Sequence, residues 1–466
     1  MNTNSNKTYC SAPWTSLHLN AKKSFGPCCH IEYKMDMIPT DKKSIMNLFN
    51  SSEFIELRKK LISNNLEGSP CLNCIDMKYT QKAYQFYNAE IEFFGKENLT
   101  KQKQIQEAYF KKFTIVDYAP IDLLFYTSEK CNLKCIFCTQ NIASEQFPLD
   151  EFNHLLDEYE SSEIDLFSFV GGETLLNQDS LSMIESLNNN SKFSKSLVHI
   201  VTNGLLIKKH IELLKSIKNL ILIISVDGIE ASYEHVRVGG SWAEFEYNLN
   251  LILEAREINK NIKLLLRSCV MNSTLHDLNK MVQYAKEREI DLYFSPLFNN
   301  DLAAQREENF YEYDLITDDI FDENIDLAMK TADNMPITLD SLRVLKEYYH
   351  SKSKERMQFI DFFEKLNQNL NNAPIVVYGS GEFVDKLLNI KYFFSMNIVA
   401  FADSDLQKQG KKFLNKEIIN PNRIIDYATN VFIASAAFET EIENFLNDTY
   451  QDKISIYKLT NKENLC

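Results

Sequence analysis

Six short apolar runs follow one another between residues 121 and 295, and an amphipathic stretch separates each run from the next. The runs are Ile121–Tyr126, Asp165–Val170, Leu197–Val201, Leu220–Val226, Ile262–Val270 and Ile290–Ser295. Apolar residues recur about every 3.6 positions in the intervening stretches, such as LDEFNHLLDEYE and HIELLKSIK. Strands that alternate with helices pair in parallel through right-handed crossovers. The region therefore predicts an α/β fold built on a six-stranded parallel sheet.

The residues that could carry chemistry fall directly after these strands. The groups are Cys131, Cys135 and Cys138 after the first strand, Gly171-Gly172-Glu173 after the second, Thr202-Asn203-Gly204 after the third, and Ser225-Val226-Asp227-Gly228 after the fourth. One such glycine group alone is usually a turn. Barrels, however, place their active sites at the carboxyl ends of their strands, so the combination predicts a site at that edge.

Composition excludes several classes of protein. The 466 residues correspond to about three domains, and 44% hydrophobic with 25% charged residues is typical of globular proteins. A formal charge of −15 argues against a nucleic-acid partner, whose phosphates need a basic surface. The polar N-terminus lacks a signal-peptide core and no run is long enough for a membrane span. We therefore expect a cytoplasmic protein with no membrane partner, whose 10 cysteines stay reduced.

Cys131, Cys135 and Cys138 form a C-x3-C-x2-C array, which indicates a metal site rather than disulfides in a reducing compartment. A 4Fe–4S cluster usually takes four cysteines, so three would leave one iron open to a non-protein ligand. The alternative is a structural zinc site, which needs a fourth Cys or His. No such residue lies near Cys138 in the sequence.

This array resembles the signature of radical S-adenosylmethionine (radical SAM) enzymes. The resemblance implies a partial (β/α)6 TIM-type barrel, which we place at residues 114–300. It also implies that S-adenosylmethionine chelates the open iron through its amino and carboxylate groups. An electron from a donor such as flavodoxin or ferredoxin would then cleave the cofactor to a 5′-deoxyadenosyl radical, which abstracts a substrate hydrogen.

The resemblance extends to the residues after the second and fourth strands. Gly171, Gly172 and Glu173 match the GGE motif, which binds the amino group of the cofactor's methionine. Ser225 matches a serine that contacts the cofactor. Glycines suit this position because they allow a close approach of the backbone, and a carboxylate suits a charged amine.

Three further residues complete the predicted site. Arg237 matches an arginine that binds the methionine carboxylate, for which its bidentate guanidinium is suited. Phe137 matches the aromatic residue beside the adenine. The structural alternatives are a surface salt bridge for Arg237 and core packing for Phe137. Asp227 lies at the barrel mouth, where it could reach the substrate as a catalytic group.

The N-terminal segment, residues 1–80, is rich in cysteine. It holds Cys10, Cys28, Cys29, Cys71 and Cys74, with His30 adjacent. This spacing predicts a metal site for which zinc and iron–sulfur both remain open. Its further motifs are Pro13-Trp14, Leu17-His18, Pro27-Cys28-Cys29 and Leu57-Arg58.

These motifs resemble the auxiliary-cluster module of the SPASM and twitch subfamilies. The resemblance implies one auxiliary 4Fe–4S cluster on Cys10, Cys28, Cys71 and Cys74, with the choice between Cys28 and Cys29 left open. Two features depart from the subfamily pattern. Lys23 stands where related modules have a glycine, and the module precedes the barrel instead of following it.

The remaining segments predict bridging helices over residues 81–113, a helical connector over 301–370 and a separate domain over 371–466. In the last domain, strand Pro374–Tyr378 leads into Gly379-Ser380-Gly381 and a helix, and strands Asn397–Phe401 and Val431–Ala434 follow, with Asp403 after the second strand. This order is typical of a Rossmann-like nucleotide-binding unit, although Val384 replaces the third glycine. It resembles the small Rossmann-like domains of sugar acyltransferases and some methyltransferases, which implies a nucleotide or nucleotide-sugar site. An empty crevice that docks the substrate is the alternative.

Together these features predict a radical SAM enzyme with two iron–sulfur clusters, acting on a sugar, a nucleotide-sugar or a glycan precursor. The auxiliary cluster would accept or relay an electron, or position the substrate. A peptide-modifying radical SAM enzyme is the second hypothesis, although no leader-binding winged-helix module is evident. A zinc-stabilised scaffold without activity is the non-enzymatic alternative.

Overall fold

The computed structural model describes residues 10–22, 24–28, 31–34, 44–66, 69, 71, 74, 99–138, 145–157, 166–297, 303–313, 315–387, 390–435 and 438–459. Lys23, Cys29, His30 and most of the predicted bridging segment lie outside these residues. The chain divides into two compact units. The first comprises Met1–Glu308 and Asp322–Glu347, and the second comprises Asn309–Phe321 and Tyr348–Cys466.

A nine-stranded sheet forms the centre of the first unit. Its strands in chain order are β1 (Ser16–Asn20), β2 (Ser24–Cys28), β3 (Ile31–Lys34), β4 (Asp122–Tyr126), β5 (Leu166–Val170), β6 (Leu197–Thr202), β7 (Leu220–Ser225), β8 (Ile262–Val270) and β9 (Asp291–Pro296). In space their order is β3-β2-β1-β4-β5-β6-β7-β8-β9. Strands β4 to β9 each pair in parallel with the next. This confirms the α/β fold and the six parallel strands of the predicted partial barrel.

Helices alternate with these strands along the chain. In the first unit they are α1 (Ala12–Thr15), α2 (Ile45–Phe49), α3 (Ser52–Ser63), α4 (Leu99–Phe110), α5 (Leu149–Asp157), α6 (Gln178–Asn189), α7 (Ile207–Ser216), α8 (Ala231–Val236), α9 (Trp242–Ile258), α10 (Leu278–Glu287) and α11 (Ala303–Glu308). Helix α4 lies within the predicted bridging segment. Side chains cap several helices; the Ser241 hydroxyl, for example, accepts a hydrogen bond from the Glu244 amide at the start of α9.

The two faces of the parallel sheet differ in chemistry because successive side chains point to opposite faces. On the outer face, Phe125 is fully buried and its ring lies 4.8 Å from that of Phe152 on α5. The inner face carries polar side chains on the same strands, including Asp122, Ser168 and His199, which are linked to one another by hydrogen bonds. The outer face is therefore the hydrophobic interface with the helices, whereas the inner face combines these polar side chains with apolar ones such as Leu166 and Leu197.

The N-terminal segment continues the sheet of the barrel. Strand β1 pairs in parallel with β4, and β2 and β3 follow in antiparallel pairing. Arg58 on α3 holds this segment in place, because its buried guanidinium donates hydrogen bonds to the carbonyls of Pro13, Phe49 and Thr114 at 2.8–2.9 Å. Arg58 of the Leu57-Arg58 motif therefore has a structural role.

The predicted helical connector contains α11, α12 (Asp318–Thr331) and α13 (Pro336–Leu370). The first turn of α13 packs on the last strand of the parallel sheet, where the Thr338 hydroxyl accepts a hydrogen bond from the Leu292 amide at 2.9 Å. Within the described part of the chain, no helix is both long enough and apolar enough to cross a membrane.

The second unit is built on a six-stranded sheet. Its strands are β10 (Ile375–Tyr378), β11 (Ile398–Ala402), β12 (Lys412–Phe413), β13 (Lys416–Ile419), β14 (Asn430–Ile433) and β15 (Ser455–Tyr457), with α14 (Glu382–Leu387), α15 (Lys391–Phe394) and α16 (Glu439–Tyr450) as its further helices. The spatial order is β12-β13-β11-β10-β14-β15, and all pairs except β12–β13 are parallel. This confirms the predicted Rossmann-like unit, in which the chain changes direction beside β10.

Candidate functional site

The three cysteines of the C-x3-C-x2-C array lie on the loop that follows β4. Strand-like hydrogen bonds hold this loop on one side. The amides of Lys134 and Ile136 donate to the carbonyls of Val238 and Val236 at 2.9 and 3.0 Å. The cysteine loop is therefore attached to the segment after α8, which also carries Arg237.

The cysteine loop is held on its other side by the Gly171-Gly172-Glu173 segment. The amides of Gly172 and Glu173 donate to the carbonyls of Ser128 and Lys130 at 2.7 and 2.8 Å. A Cβ on Gly172 would lie 2.2 Å from the Lys130 carbonyl oxygen, and one on Gly171 would lie 2.4 Å from that of Ser128. Both glycines are therefore required for contact between the two loops.

Glu173 is buried and its carboxylate is fully engaged by protein groups. Its oxygens accept hydrogen bonds from the Thr202 hydroxyl at 2.6 Å, the Asn203 amide at 2.6 Å and the Leu175 amide at 3.0 Å. Burial raises the pKa of Glu173, while these three hydrogen bonds act in the opposite direction. The predicted contact of Glu173 with the cofactor's amino group stays a prediction.

Asn203 joins the ends of β4, β5 and β6. Its amide nitrogen Nδ2 donates to Asn132 Oδ1 at 2.8 Å and lies 3.9 Å from the Sγ of Cys131, while its backbone amide binds Glu173. Sequence reasoning placed Asn203 after the third strand but gave it no role. Its position between a thiol and the buried carboxylate makes it part of the site.

The three thiols are close enough to influence one another. Burial raises the pKa of Cys135 to about 12; the nearby Arg237 charge lowers it, and Asp227, Cys138 and Cys131 add to the increase. Burial also raises the pKa of Cys131. Among the described residues, no three His, Cys, Asp or Glu side chains converge closely enough to hold a single metal ion. In a 4Fe–4S cluster each thiolate binds a different iron, so a wider arrangement is required.

Arg237 and Asp227 form a buried ion pair beside the cysteine loop. The Nη2 of Arg237 donates to Asp227 Oδ2 at 2.6 Å, and Asp227 Oδ1 accepts from the Cys269 amide at 2.7 Å. The surface salt bridge considered as the alternative for Arg237 is therefore not found, since both side chains are almost fully buried. Arg237 Nε is buried and has no hydrogen-bond partner among the described residues. Asp227 is engaged on both oxygens, and its predicted catalytic role is untested.

Ser225 and Phe137 both precede this ion pair along the chain. Ser225 is the half-buried last residue of β7. Phe137 is half-buried and packs against the apolar cluster of Val236, Met271 and Leu297, and its predicted place beside the adenine stays a prediction. Its carbonyl accepts a hydrogen bond from Gln305 Nε2 on α11 at 2.8 Å, a contact for which the sequence carries no local signal.

The N-terminal cysteines occupy the segment that extends the sheet. Cys28 ends β2, and the Cys74 amide donates to the Cys71 carbonyl at 3.3 Å. Burial raises the pKa of Tyr33 on β3 to about 12, with further increases from the nearby thiols of Cys71 and Cys28. Two of the predicted auxiliary ligands thus lie beside one tyrosine. Cys10 precedes α1.

The second unit has its own crevice at the carboxyl ends of β10, β11 and β14. The cavity has a volume of about 860 Å³ and is lined by Tyr378, Gly379, Asp403, Lys408 and Phe438, among others. Asp403 Oδ2 accepts from the Ser380 hydroxyl at 2.5 Å and from Lys408 Nζ at 3.0 Å. The crevice predicted from the strand order is present, and its acidic residue is already bound by protein groups.

The structure thus brings one predicted set of residues together at the edge of the barrel. The cysteine array, Gly171, Gly172, Glu173, Asp227 and Arg237 form one connected network, while Ser225 and Phe137 lie on the flanking β7 and apolar cluster. Asn203 and Gln305 were not predicted as site residues. The N-terminal cysteines belong to the extension of the sheet.

Comparison with protein families identifies two regions of the chain. Residues 125–285 match the Radical SAM superfamily, which confirms the resemblance drawn from the cysteine array. Residues 371–457 match the C2185-like, N-terminal family, and these residues form the sheet of the second unit.

Among curated proteins, the chain is similar to GTP 3′,8-cyclase of Synechocystis sp., with 22% identity over 40% of this chain and 56% of that protein. It is also similar to a probable GTP 3′,8-cyclase of Methanococcus maripaludis, with 25% identity over 31% of this chain and 49% of that protein. The chain therefore spans about half the length of the curated relatives it matches.

Two solved structures illustrate the structural similarity. Streptococcus suis SuiB bound to S-adenosylmethionine aligns with a TM-score of 0.36 and 17% identity, covering 49% of this chain and 55% of that chain. Native anSMEcpe with bound AdoMet and Cp18Cys peptide aligns with a TM-score of 0.35 and 20% identity, covering 46% of this chain and 60% of that chain.

Proposed function

Residues 125–285 belong to the radical SAM superfamily, and from this premise we propose that the chain reductively cleaves S-adenosylmethionine to abstract a substrate hydrogen. The superfamily uses a 4Fe–4S cluster together with S-adenosylmethionine. The observation that carries the proposal is the cysteine loop, which is held between the two motif segments. Hydrogen bonds fix it to Gly172 and Glu173 on one side and to Val236 and Val238 on the other.

The residues present fit these cofactors. Cys131, Cys135 and Cys138 supply three thiols that interact electrostatically, which leaves a fourth cluster position for a non-protein ligand. Arg237 supplies a buried guanidinium whose Nε lacks a partner among the described residues, and such a group suits a carboxylate. When bound, the cluster and S-adenosylmethionine supply the 5′-deoxyadenosyl radical. The chain's own residues fix the loop, bury the thiols and orient Arg237 through Asp227.

The substrate that we propose is a sugar, a nucleotide-sugar or a glycan precursor. Two observations support a small polar substrate over a peptide. The second unit has a crevice of about 860 Å³ at the ends of parallel strands, a position where α/β sheets bind ligands. The curated relatives are named for action on GTP, a nucleotide. A peptide substrate is the alternative, and a peptide product would overturn the sugar assignment.

We further propose an auxiliary 4Fe–4S cluster on Cys10, Cys28, Cys71 and Cys74. The proximity of Cys71 and Cys28 to Tyr33 and the contact between Cys71 and Cys74 support it. An electron donor such as flavodoxin or ferredoxin would act as the partner protein. A zinc scaffold would bind these thiols without redox chemistry.

Anaerobic reconstitution tests the proposal. Two clusters give about eight irons per chain, and reduction in the presence of S-adenosylmethionine should yield 5′-deoxyadenosine. Replacing Cys131, Cys135 and Cys138 with alanine should remove about four irons and abolish 5′-deoxyadenosine. Bound zinc without iron, or product formation by the triple variant, would overturn the assignment.

Matched variants separate the two clusters. Replacing Cys28 and Cys71 with serine should lower the iron content by about four atoms. Cys269→Ala is the control, because Cys269 packs with Phe137 and Met271 on the inner edge of the barrel and is no predicted ligand. It should keep the wild-type iron content. Unchanged iron in the Cys28/Cys71 variant would contradict the auxiliary site alone.

A further inference from the structure

A chain of polar side chains crosses the inner face of the sheet. His18 Nε2 on β1 lies 3.9 Å from Asp122 Oδ2 on β4. The Ser168 hydroxyl on β5 donates to Asp122 Oδ1 at 2.8 Å, and His199 Nδ1 on β6 lies 3.1 Å from Ser168 Oγ. The four residues therefore connect four adjacent strands, beneath the edge that carries the cysteine loop.

The direction of these hydrogen bonds fixes the proton on His199. Above about pH 7, where Asp122 is ionised, the single hydroxyl proton of Ser168 goes to Asp122, and His199 Nδ1 then donates its proton to Ser168 Oγ. Burial lowers the pKa of His199 to about 4, with a contribution from the nearby Arg267 charge, so the ring is neutral at pH 7. In this tautomer Nε2 is a hydrogen-bond acceptor. It is buried and no described residue satisfies it.

Arg267 supplies a positive charge on the same inner face. It lies on β8 opposite Ser225 of β7 and Tyr293 of β9. Its guanidinium carbon lies 5.8 Å from the centroid of the Tyr293 ring, which places the side chain on the inner face. In the described part of the chain this guanidinium makes no hydrogen bond or ion pair, whereas those of Arg58 and Arg237 are both bound by protein oxygens.

We infer that the inner face of the barrel binds a substrate that carries an anionic group, a phosphate or a carboxylate, next to a hydroxyl or N–H group. Arg267 pairs with the anion through its bidentate guanidinium. His199 Nε2 accepts the hydrogen bond from the neighbouring hydroxyl or N–H. This inference rests on the proposed function, since the inner face below the cysteine loop is where a substrate would meet the radical.

Two features make substrate recognition a better explanation than structural support. A structural polar network satisfies its own members, because a buried acceptor without a partner lowers stability. Here the buried His199 Nε2 is left over at one end of the network, and the exposed Arg267 is near enough for its charge to lower the pKa of His199. Both are completed by one molecule that combines an anion with a hydrogen-bond donor.

Direct binding to the full-length, anaerobically reconstituted protein tests the inference. The probes are glucose 1-phosphate, glucuronate and glucose, measured by titration calorimetry or saturation-transfer NMR. At least one charged probe should bind about tenfold more tightly than glucose, since a charge-assisted bidentate pair is lost with the neutral probe. The two charged probes distinguish a phosphate from a carboxylate.

Variants assign the charge preference to the named residues. Arg267→Gln should bring the charged probes to the affinity of glucose, and Arg267→Lys should keep part of the preference. His199→Ala should weaken glucose 1-phosphate but leave inorganic phosphate unchanged. Arg256→Gln is the control, because the Arg256 guanidinium on α9 is bound by the carbonyls of Glu289 and Arg288; it should behave like the wild type.

Equal binding of charged and neutral probes, no binding of either charged probe, or an unchanged preference in Arg267→Gln would overturn the inference. Formation of 5′-deoxyadenosine is measured separately on the wild type. If the wild type prefers charged probes but forms no 5′-deoxyadenosine, the result counts against the proposed function only. If it forms 5′-deoxyadenosine but shows no preference for charged probes, the result counts against this inference only.

Discussion

The two sheets of the molecule both place glycines directly after a parallel strand, yet they use the resulting space differently. After β5, the Cβ positions of Gly171 and Gly172 coincide with backbone carbonyls of the cysteine loop. After β10, a Cβ on Gly379 would lie 2.5 Å from the Ala434 carbonyl oxygen, but nothing lies within 4 Å of the Cβ position of Gly381, which lines the cavity. The first glycine after each strand therefore packs closely against a neighbouring backbone, whereas the second packs against the cysteine loop in the barrel and faces an open crevice in the second unit.

The ion pairs of the two regions also differ in how deeply they are buried. Asp227 and Arg237 in the barrel lie 2.6 Å apart, and their side chains are 2% and 6% exposed. Asp403 and Lys408 in the crevice lie 3.0 Å apart, and their side chains are 14% and 40% exposed. The ion pair at the barrel site is therefore buried, whereas the ion pair in the crevice is partly exposed to solvent.

The largest expected effect is at the buried ion pair. Asp227→Ala leaves the Arg237 guanidinium buried without its partner, which should lower the free energy of unfolding by about 3–5 kcal/mol. Denaturant unfolding followed by tryptophan fluorescence measures this in the first unit, because both tryptophans of the chain, Trp14 and Trp242, lie there. The matched change in the crevice, Lys408→Ala, should cost less than about 1 kcal/mol, measured by hydrogen exchange of β10 because the second unit contains no tryptophan. An equal loss of unfolding free energy in the two variants would contradict the difference between the buried and the exposed ion pair.

The glycines give the next largest effect. Gly172→Ala places a methyl group 2.2 Å from the Lys130 carbonyl oxygen, so the cysteine loop must move, at a cost of about 1–3 kcal/mol. Iron analysis should show a loss of about four irons. Gly381→Ala is the matched control and should change stability by no more than about 1 kcal/mol. Full iron content in Gly172→Ala would show that the close contact does not position the thiols.

The pH dependence of two aspartates should differ in sign. Burial raises the pKa of Asp122 on the inner face to about 7, against the effect of the Ser168 hydrogen bond. Its contribution to stability is therefore complete below about pH 4 and is lost as the pH rises through about 7. As the pH rises from 5 to 8, the free energy of unfolding of Asp122→Asn should increase by about 1–3 kcal/mol relative to that of the wild type, since one pKa unit is worth about 1.4 kcal/mol.

Asp403 should show the opposite pH dependence of stability, and its substitution should have the smallest effect. Burial alone would raise its pKa, but hydrogen bonds from Ser380, the Asp405 amide and Lys408 outweigh burial and lower it. Its contribution is present above its unfolded pKa and is lost as the pH falls through the folded value. Asp403→Asn should therefore destabilise the second unit at pH 7 but not in acid, as measured by hydrogen exchange of β10. A rise in stability with Asp403→Asn at pH 7 would contradict the contrast between the two carboxylates.

The strands of both sheets were predictable because they are short apolar runs between amphipathic helices. The predicted strand Leu197–Val201 differs from the observed β6 by one residue, and Ile262–Val270 coincides with β8. Strand β2 was missed because its sequence, Ser-Phe-Gly-Pro-Cys, contains two turn-forming residues. Propensity is overridden there by pairing with β1 and β3, which a local pattern cannot reveal.

Residue types at the site were predictable, but their partners were not. The sequence places Gly171 and Gly172 after a strand, and we expected them to allow the backbone to approach a cofactor. The structure shows that their Cβ positions are filled by Ser128 and Lys130, more than forty residues earlier in the chain. Asp227 likewise looked open to a substrate and instead binds Arg237 and the Cys269 amide. Such non-local contacts depend on the packing of loops from different strands.

The parallel pairing of β1 with β4 also constrains how the molecule can be made. Ser16 pairs with Asp122 and Asn20 with Tyr126, so the partners leave the ribosome about a hundred residues apart, with the N-terminus first. Until β4 is synthesised, β1 has only β2 beside it, and the edge of this hairpin is unprotected. The N-terminal thiols therefore reach their final surroundings only after the first barrel strand has been translated.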